Sequence, residues 1–262
     1  MHPVAFQLGP LTIYWYGIFF AAGFLAAFWS ADRRARHEGL SADAITGLAP
    51  WLIGGAIIGA RLLYVISYWK QDFASLPHPF LEIFKVRSGV VFYGGLIGAS
   101  LGTILYAWRT KLPLWKLADI IAPSIALGHA FGRIGCLMTG CCYGRACDLP
   151  WAIHFPKEHQ SAGVGVHPTQ IYEAVLNFLL FLGLNWFYRR KKFDGHVFAV
   201  YLICYALLRA FVELFRGDYP PSSYYFGFMT PAQLVSIVIF GIGLALLWRL
   251  GQPKKAAHGL PA

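Results

Sequence analysis

Residues 230–249 read TPAQLVSIVIFGIGLALLWR, twenty positions whose single charge, Arg249, stands at the end. A helix crossing the hydrocarbon core of a bilayer needs about 20 such residues. Working back toward the N-terminus, six more stretches have that length and character: 11–30, 46–69, 89–108, 117–137, 169–188 and 195–215. Pro50, Pro123 and glycine-rich patches interrupt some of them, as membrane helices tolerate where neighbouring protein re-satisfies the backbone. The pattern predicts an all-α, polytopic membrane helix bundle of about seven transmembrane helices, one domain over 1–262. Two longer loops, 70–88 and 138–168, fall on the same side and are expected to form a small cap. No short-period repeat or separate soluble domain is evident.

Composition agrees. The chain is 57% hydrophobic and 13% charged, with mean hydropathy +0.53, against about 25% charged residues in an ordinary soluble domain. Glycine, at 28 of 262 residues, lets helix backbones approach closely in lipid. The formal charge of +10 is a topology signal rather than a nucleic-acid footprint. Of the 22 Lys and Arg, 13 fall on one side: Arg33, Arg34 and Arg36; Arg109, Lys111 and Lys116; Arg189, Arg190, Lys191 and Lys192; Arg249, Lys254 and Lys255. The opposite loops hold Lys70, Lys85, Arg87, Arg145 and Lys157. The positive-inside rule puts the N-terminus outside and the C-terminus in the cytoplasm. The first apolar run has no basic flank before it and reaches full span length, so no cleavable leader is expected.

The chemistry lies in ionisable groups placed where lipid should be, each costly unless it faces protein, water or a headgroup. Arg61, Asp119, Arg133, Arg209, Glu213 and Arg216 are such groups. Arg209, Glu213 and Arg216 follow i, i+4, i+7 spacing and are expected on one helical face. They read either as an anion site tuned by Glu213 or as a buried ion pair that fixes packing. Arg133, between Gly132 and Gly135, reads as an anion ligand or as an arginine snorkelling to the interface. Arg61 is open between substrate contact and packing, and Asp119 reads as a structural partner or helix cap. Arginines at outer-leaflet depth suit phosphate, because the guanidinium fork matches its oxygens and stays charged. The phosphates abundant at that depth belong to phospholipids.

At this point the ordered motifs resemble those of the prolipoprotein diacylglyceryl transferases. They are Trp15-Tyr16-Gly17, Gly59-Ala60-Arg61, Gly94-Gly95-Leu96-Ile97-Gly98, Asp119 with Ala122-Pro123, Gly132-Arg133-Ile134-Gly135, the run from His167-Pro168 to Tyr172-Glu173, and Arg209, Glu213, Phe215 and Arg216. The resemblance implies transfer of a diacylglyceryl group from phosphatidylglycerol to the lipobox cysteine thiol of a preprolipoprotein signal peptide, in the bacterial inner membrane. It implies a thioether product, release of glycerol phosphate, membrane-lipid contacts, and neither metal nor organic cofactor. Arg133 and Arg209 match lipid-binding residues held essential in the family. Tyr16 matches a tyrosine near the site, and Glu213 matches an acid that orients an arginine. Arg61, Gly94, Gly95 and Gly132 join them as substrate-binding candidates, and Tyr93 as a catalytic one.

The chain also departs from the family. Tyr93 stands where better-known members carry a histidine, and tyrosine, with a pKa near 10, is a poor base at neutral pH. After Gly135 the family's asparagines and glutamate give way to Cys136, Cys141 and Cys142, with Cys147 following. A disulfide such as Cys141 or Cys142 with Cys147, free packing thiols, and metal or redox chemistry all stay open, although the spacing matches no common zinc motif. Cys204 reads as a small buried apolar residue. His154, His159 and His167 read as surface, headgroup or loop-packing residues. Rival functions are a transporter with charges lining a pathway, a lipid-binding paralogue with a redox or structural cysteine cluster, and an enzyme using another donor or acceptor.

Overall fold

The computed structural model describes residues 3–41, 43–74, 83, 89–219, 225–226 and 228–252. Among them are seven α-helices: α1 (Trp15–His37), α2 (Asp43–Tyr68), α3 (Phe92–Thr110), α4 (Leu114–Thr139), α5 (Thr169–Tyr188), α6 (His196–Glu213) and α7 (Pro231–Gly251). A π turn, Trp69–Phe73, extends α2. Five segments, Asp43–Phe73 and helices α4 to α7, are long and apolar enough to cross a membrane by length and composition. Trp, Tyr and Gly dilute the hydropathy of α1 and α3, and Asp32, Arg33, Arg34 and Arg36 crowd the end of α1. Most of the expected cap loop 70–88, with Lys85 and Arg87, lies outside the described residues, as do Lys254 and Lys255.

Polarity is arranged as lipid demands. Asp119, Asn177, Glu173 and Glu213 are at most 1% exposed, whereas Leu25, Val238 and Trp248 are more than 60% exposed. An unpaired polar group in hydrocarbon costs several kcal/mol, so polar side chains turn inward and apolar ones face out.

Two boundaries differ from expectation for physical reasons. Leu11–Tyr14 is not helix but strand β2, paired with β1 (Val4–Leu8) across a turn at Gly9, whose φ is +59°. The apolar run of β2 is continuous with α1, so length alone cannot separate them; the period-two alternation of Val4, Phe6 and Leu8 can. Helix α6 ends at Glu213, because Leu214, Phe215 and Arg216 donate to the carbonyls three residues back, at 3.0–3.2 Å. That tighter winding takes Arg216 off the face shared by Arg209 and Glu213.

The chain forms two compact units, residues 1–31 with 118–262, and residues 32–117. In the second, α2 and α3 pack backbone to backbone. A Cβ on Gly98 would lie 2.0 Å from the Gly55 carbonyl oxygen, and one on Gly94 would lie 2.3 Å from that of Gly59. Small residues four apart on both helices permit this approach. In the first unit, Ala122 and Ala126 of α4, Leu184 of α5, and Val197 and Tyr201 of α6 form a shared core. Asp119, fully buried, accepts the backbone N–H groups of Gly195 and Phe198, both at 2.9 Å. It thus caps α6 from a neighbouring helix. Helix α7 starts on a capping box of Thr230 and Gln233, with Pro231 in its first turn.

Candidate active site

Helices α4, α5 and α6 meet at one carboxylate. Glu173, one turn into α5, is 1% exposed. Arg133 of α4 sets Nη2 3.0 Å from Glu173 Oε1. Arg209 of α6 sets Nη1 3.1 Å from Oε2 and Nη2 2.9 Å from Glu213 Oε2. His129, one turn before Arg133, brings Nε2 3.2 Å from Glu173 Oε1 and accepts a hydrogen bond from Arg133 Nε at 3.1 Å. Asn177, fully buried, donates Nδ2 to the Glu173 carbonyl at 2.8 Å. Beyond the end of α6, burial and the neighbouring Glu213 carboxylate push the Tyr219 hydroxyl above its ordinary value.

Burying two guanidiniums costs several kcal/mol each unless opposite charge and hydrogen bonds compensate. Glu173 and Glu213 supply that charge, so the arginines stay ionised and aligned without any ligand. Formally the cluster is neutral. Arg133 makes these contacts through Nη2 and Nε, and Nη1 takes no part in them. A Cβ on Gly132 would meet nothing within 4 Å, so the surface of α4 is open at that position.

The segment after α4 is folded onto the same end. Gly140 (φ +78°) and Cys142 (φ +64°) reverse the chain twice. A side chain on Gly140 would strike His159, whose Nε2 lies 2.8 Å from the Gly140 carbonyl. Gln170 donates to the carbonyl of Cys141 at 2.7 Å, and Thr169 to that of Cys142 at 2.6 Å. Backbone bonds then stitch Gly144 to His167, and Arg145 to both His167 and Phe215. Arg216 pairs with Asp218 through two contacts, at 2.8 and 2.9 Å. The Sγ atoms of Cys136, Cys141 and Cys142 consequently lie within 4.8 Å of one another. Cys141 Sγ donates to the Cys136 carbonyl at 3.8 Å and lies 3.3 Å from the Thr139 hydroxyl. All five cysteines are free thiols, and Cys147 stands apart, its backbone N–H on the Gly165 carbonyl.

The structure thus brings together Arg133, Arg209 and Glu213, with Gly132 alongside. Tyr16 packs on the same stretch of α4: a Cβ on Gly135 would lie 3.0 Å from its ring. In the other unit, Arg61 is buried and donates to the carbonyls of Ile83 at 2.9 Å and Gly89 at 3.1 Å, beside the rings of Tyr64 and Phe73. Gly94 and Gly95 face α2, and Tyr93 is 44% exposed in the first turn of α3. Sequence reasoning passed over Glu173 and His129. Both are ionisable residues inside apolar spans, the criterion that selected the arginines, and it would have selected them too.

Residues 3–249 match the family described as prolipoprotein diacylglyceryl transferase. Among curated relatives, the phosphatidylglycerol–prolipoprotein diacylglyceryl transferase of Clostridium tetani (strain Massachusetts / E88) is 37% identical over 246 residues, covering 93% of this chain and 96% of its own. That of Synechococcus elongatus is 37% identical over 264 residues, covering 97% and 89%. That of Finegoldia magna is 38% identical over 248 residues, covering 94% of each.

Proposed function

The chain belongs to the prolipoprotein diacylglyceryl transferase family, and from that premise we propose that it moves the diacylglyceryl group of phosphatidylglycerol onto the lipobox cysteine of a preprolipoprotein. The acceptor sulfur forms a bond to the glycerol carbon, the C–O bond to phosphate breaks, and glycerol phosphate departs with the electron pair. The chain is a helical membrane protein and a transferase of lipoprotein maturation. We place it in the bacterial inner membrane, with the N-terminus in the periplasm and the C-terminus in the cytoplasm, on the charge asymmetry of its loops.

The observation that carries the mechanism is the meeting of Arg133 and Arg209, from different helices, over buried Glu173. A phosphodiester holds one negative charge, and the departing phosphate monoester approaches two. Donors fixed in advance hold the second charge better than the first, which lowers the barrier rather than merely tightening binding. Glu173 and Glu213 set the guanidinium planes. The space beside Gly132 suits the headgroup, and Tyr16 lines the same end of α4. Tyr93, Gly94, Gly95 and Arg61 enter this reading by family resemblance alone. The contacts of Arg61 and Gly94 support a role in holding α2 to α3 and to the Ile83 and Gly89 carbonyls between them.

Complementation of a strain depleted of its own transferase tests the proposal. The wild-type chain should restore growth and thioether formation, and Arg133→Ala and Arg209→Ala, present at equal levels in the membrane, should not. Full rescue by both variants would end it.

A further inference from the structure

The transfer reading leaves three thiols without a task. Cys136 closes the last turn of α4, Cys141 is exposed, and Cys142 is half-buried in a left-handed conformation that non-glycine residues seldom adopt. The protein invests in that arrangement: Thr169 and Gln170, each 1% exposed, hold the two carbonyls that orient the pair. The result is three sulfurs within 4.8 Å of one another, joined by no disulfide. Zinc binds thiolate at about 2.3 Å, which sets the sulfurs of a tetrahedral site about 3.8 Å apart. The cluster therefore needs about an ångström of contraction to close on a metal. Catalytic zinc sites keep three protein ligands and leave the fourth position for a reactant. Soft thiolate sets select thiophilic ions.

The location gives that fourth position a use. Cys136 follows Arg133 by three residues, about one turn along α4, and Tyr16 packs on Gly135 between them. The cluster thus adjoins the guanidinium assigned to the leaving phosphate. The acceptor in the proposed reaction is itself a thiol, which attacks as the thiolate.

We propose that Cys136, Cys141 and Cys142 hold a thiophilic divalent cation of the zinc class, and that its fourth position takes the acceptor cysteine of the preprolipoprotein as a thiolate. Coordination strips the acceptor thiol of its proton, which passes to water. The metal-held sulfur then supplies the electron pair of the new S–C bond. The C–O bond breaks and its pair leaves on the glycerol phosphate beside Arg133. No oxidation state changes, and the cation stays on its three cysteines. This rests on the transfer reading, whose failure the same preparation shows separately.

The test uses the full-length protein, purified in lipid–detergent micelles under reduction and stripped of metal, then titrated with cobalt(II) alone. One equivalent should produce the near-ultraviolet thiolate-to-cobalt band and the visible bands of tetrahedral cobalt. Cys136→Ser, Cys141→Ser and Cys142→Ser should each weaken or abolish them, while Cys147→Ser and Cys204→Ser keep them. Cys142→His, which restores a ligand, should recover a tetrahedral spectrum. A lipobox peptide should intensify the thiolate band, and its serine counterpart should not. No stoichiometric band, equal loss in Cys147→Ser, or no response to the cysteine peptide overturns the proposal. So does peptide mapping that finds any of the three in a disulfide in fully active enzyme. A metal-loaded wild type with the peptide response but no thioether product from phosphatidylglycerol would sink the transfer reading and leave the site standing.

Discussion

Glu173 faces two guanidiniums and an imidazole from a position almost closed to solvent. Neutralising it leaves Arg133 buried without its carboxylate partner and leaves Arg209 with Glu213 alone. Breaking one side of a buried pair costs about 3–5 kcal/mol. Glu173→Gln should therefore lower thermal stability by more than Glu213→Gln, which disturbs Arg209 alone; melting both in the same micelles checks this. Arg133→Lys separates charge from geometry. Lysine keeps the positive charge but loses the fork that reaches Glu173, His129 and an anion together. Its melting temperature should stay close to wild type while kcat falls roughly a hundredfold, the usual effect of one lost transition-state donor. A variant that melts early but turns over normally would make the cluster a packing device. Arg133, Arg209 and Glu213 were legible as charges in apolar spans. Glu173 meets the same criterion, but that one carboxylate serves both arginines depends on how three helices pack, which no local pattern shows.

At the scale of helices, the glycines separate packing from access. Gly98 has the Gly55 carbonyl where its Cβ would go, at 2.0 Å, and backbone cannot step aside cheaply. Gly98→Ala should cost about 1–3 kcal/mol through overpacking, seen as a lower melting temperature. Gly132 has open space where its Cβ would go. Gly132→Ala should leave the melting temperature unchanged yet raise KM for phosphatidylglycerol, since the methyl intrudes where the headgroup is placed; an unchanged KM would remove the headgroup from that space. Asp119→Ala strands two backbone donors of α6 and should cost about 1–2 kcal/mol, the range of a lost helix cap. The helix positions were readable because periodicity, length and prolines are local signals, and α5 runs over the expected 169–188. The strand at Leu11–Tyr14 had a local signal in the alternation of Val4, Phe6 and Leu8. The gathering of three cysteines had none, because it depends on distant backbone, as when Thr169 and Gln170 fix the carbonyls of residues 141 and 142.

For the whole molecule, the proposed transfer and its metal site require the end of α4 to lie on the outer side. Charge asymmetry argues for it: Arg189, Arg190, Lys191 and Lys192 cluster between α5 and α6, at the opposite end of those helices from residues 138–168. A fluorescent protein that matures only in the cytoplasm, fused after Gly251, should fluoresce, and alkaline phosphatase fused there should stay inactive. In spheroplasts, a charged maleimide that cannot cross the membrane should label exposed Cys141 from outside, with Cys136, Cys142, Cys147 and Cys204 replaced by serine. Moving basic residues tests cause rather than correlation. Replacing Arg189, Arg190, Lys191 and Lys192 by glutamine removes four of the 13 charges counted on the inner side. That should increase the fraction of chains with inverted reporters, because each basic residue kept inside opposes translocation of its loop. Inversion of the wild-type reporters would set Arg133, Arg209 and the thiols on the cytoplasmic face and dismantle the transfer reading together with its metal site.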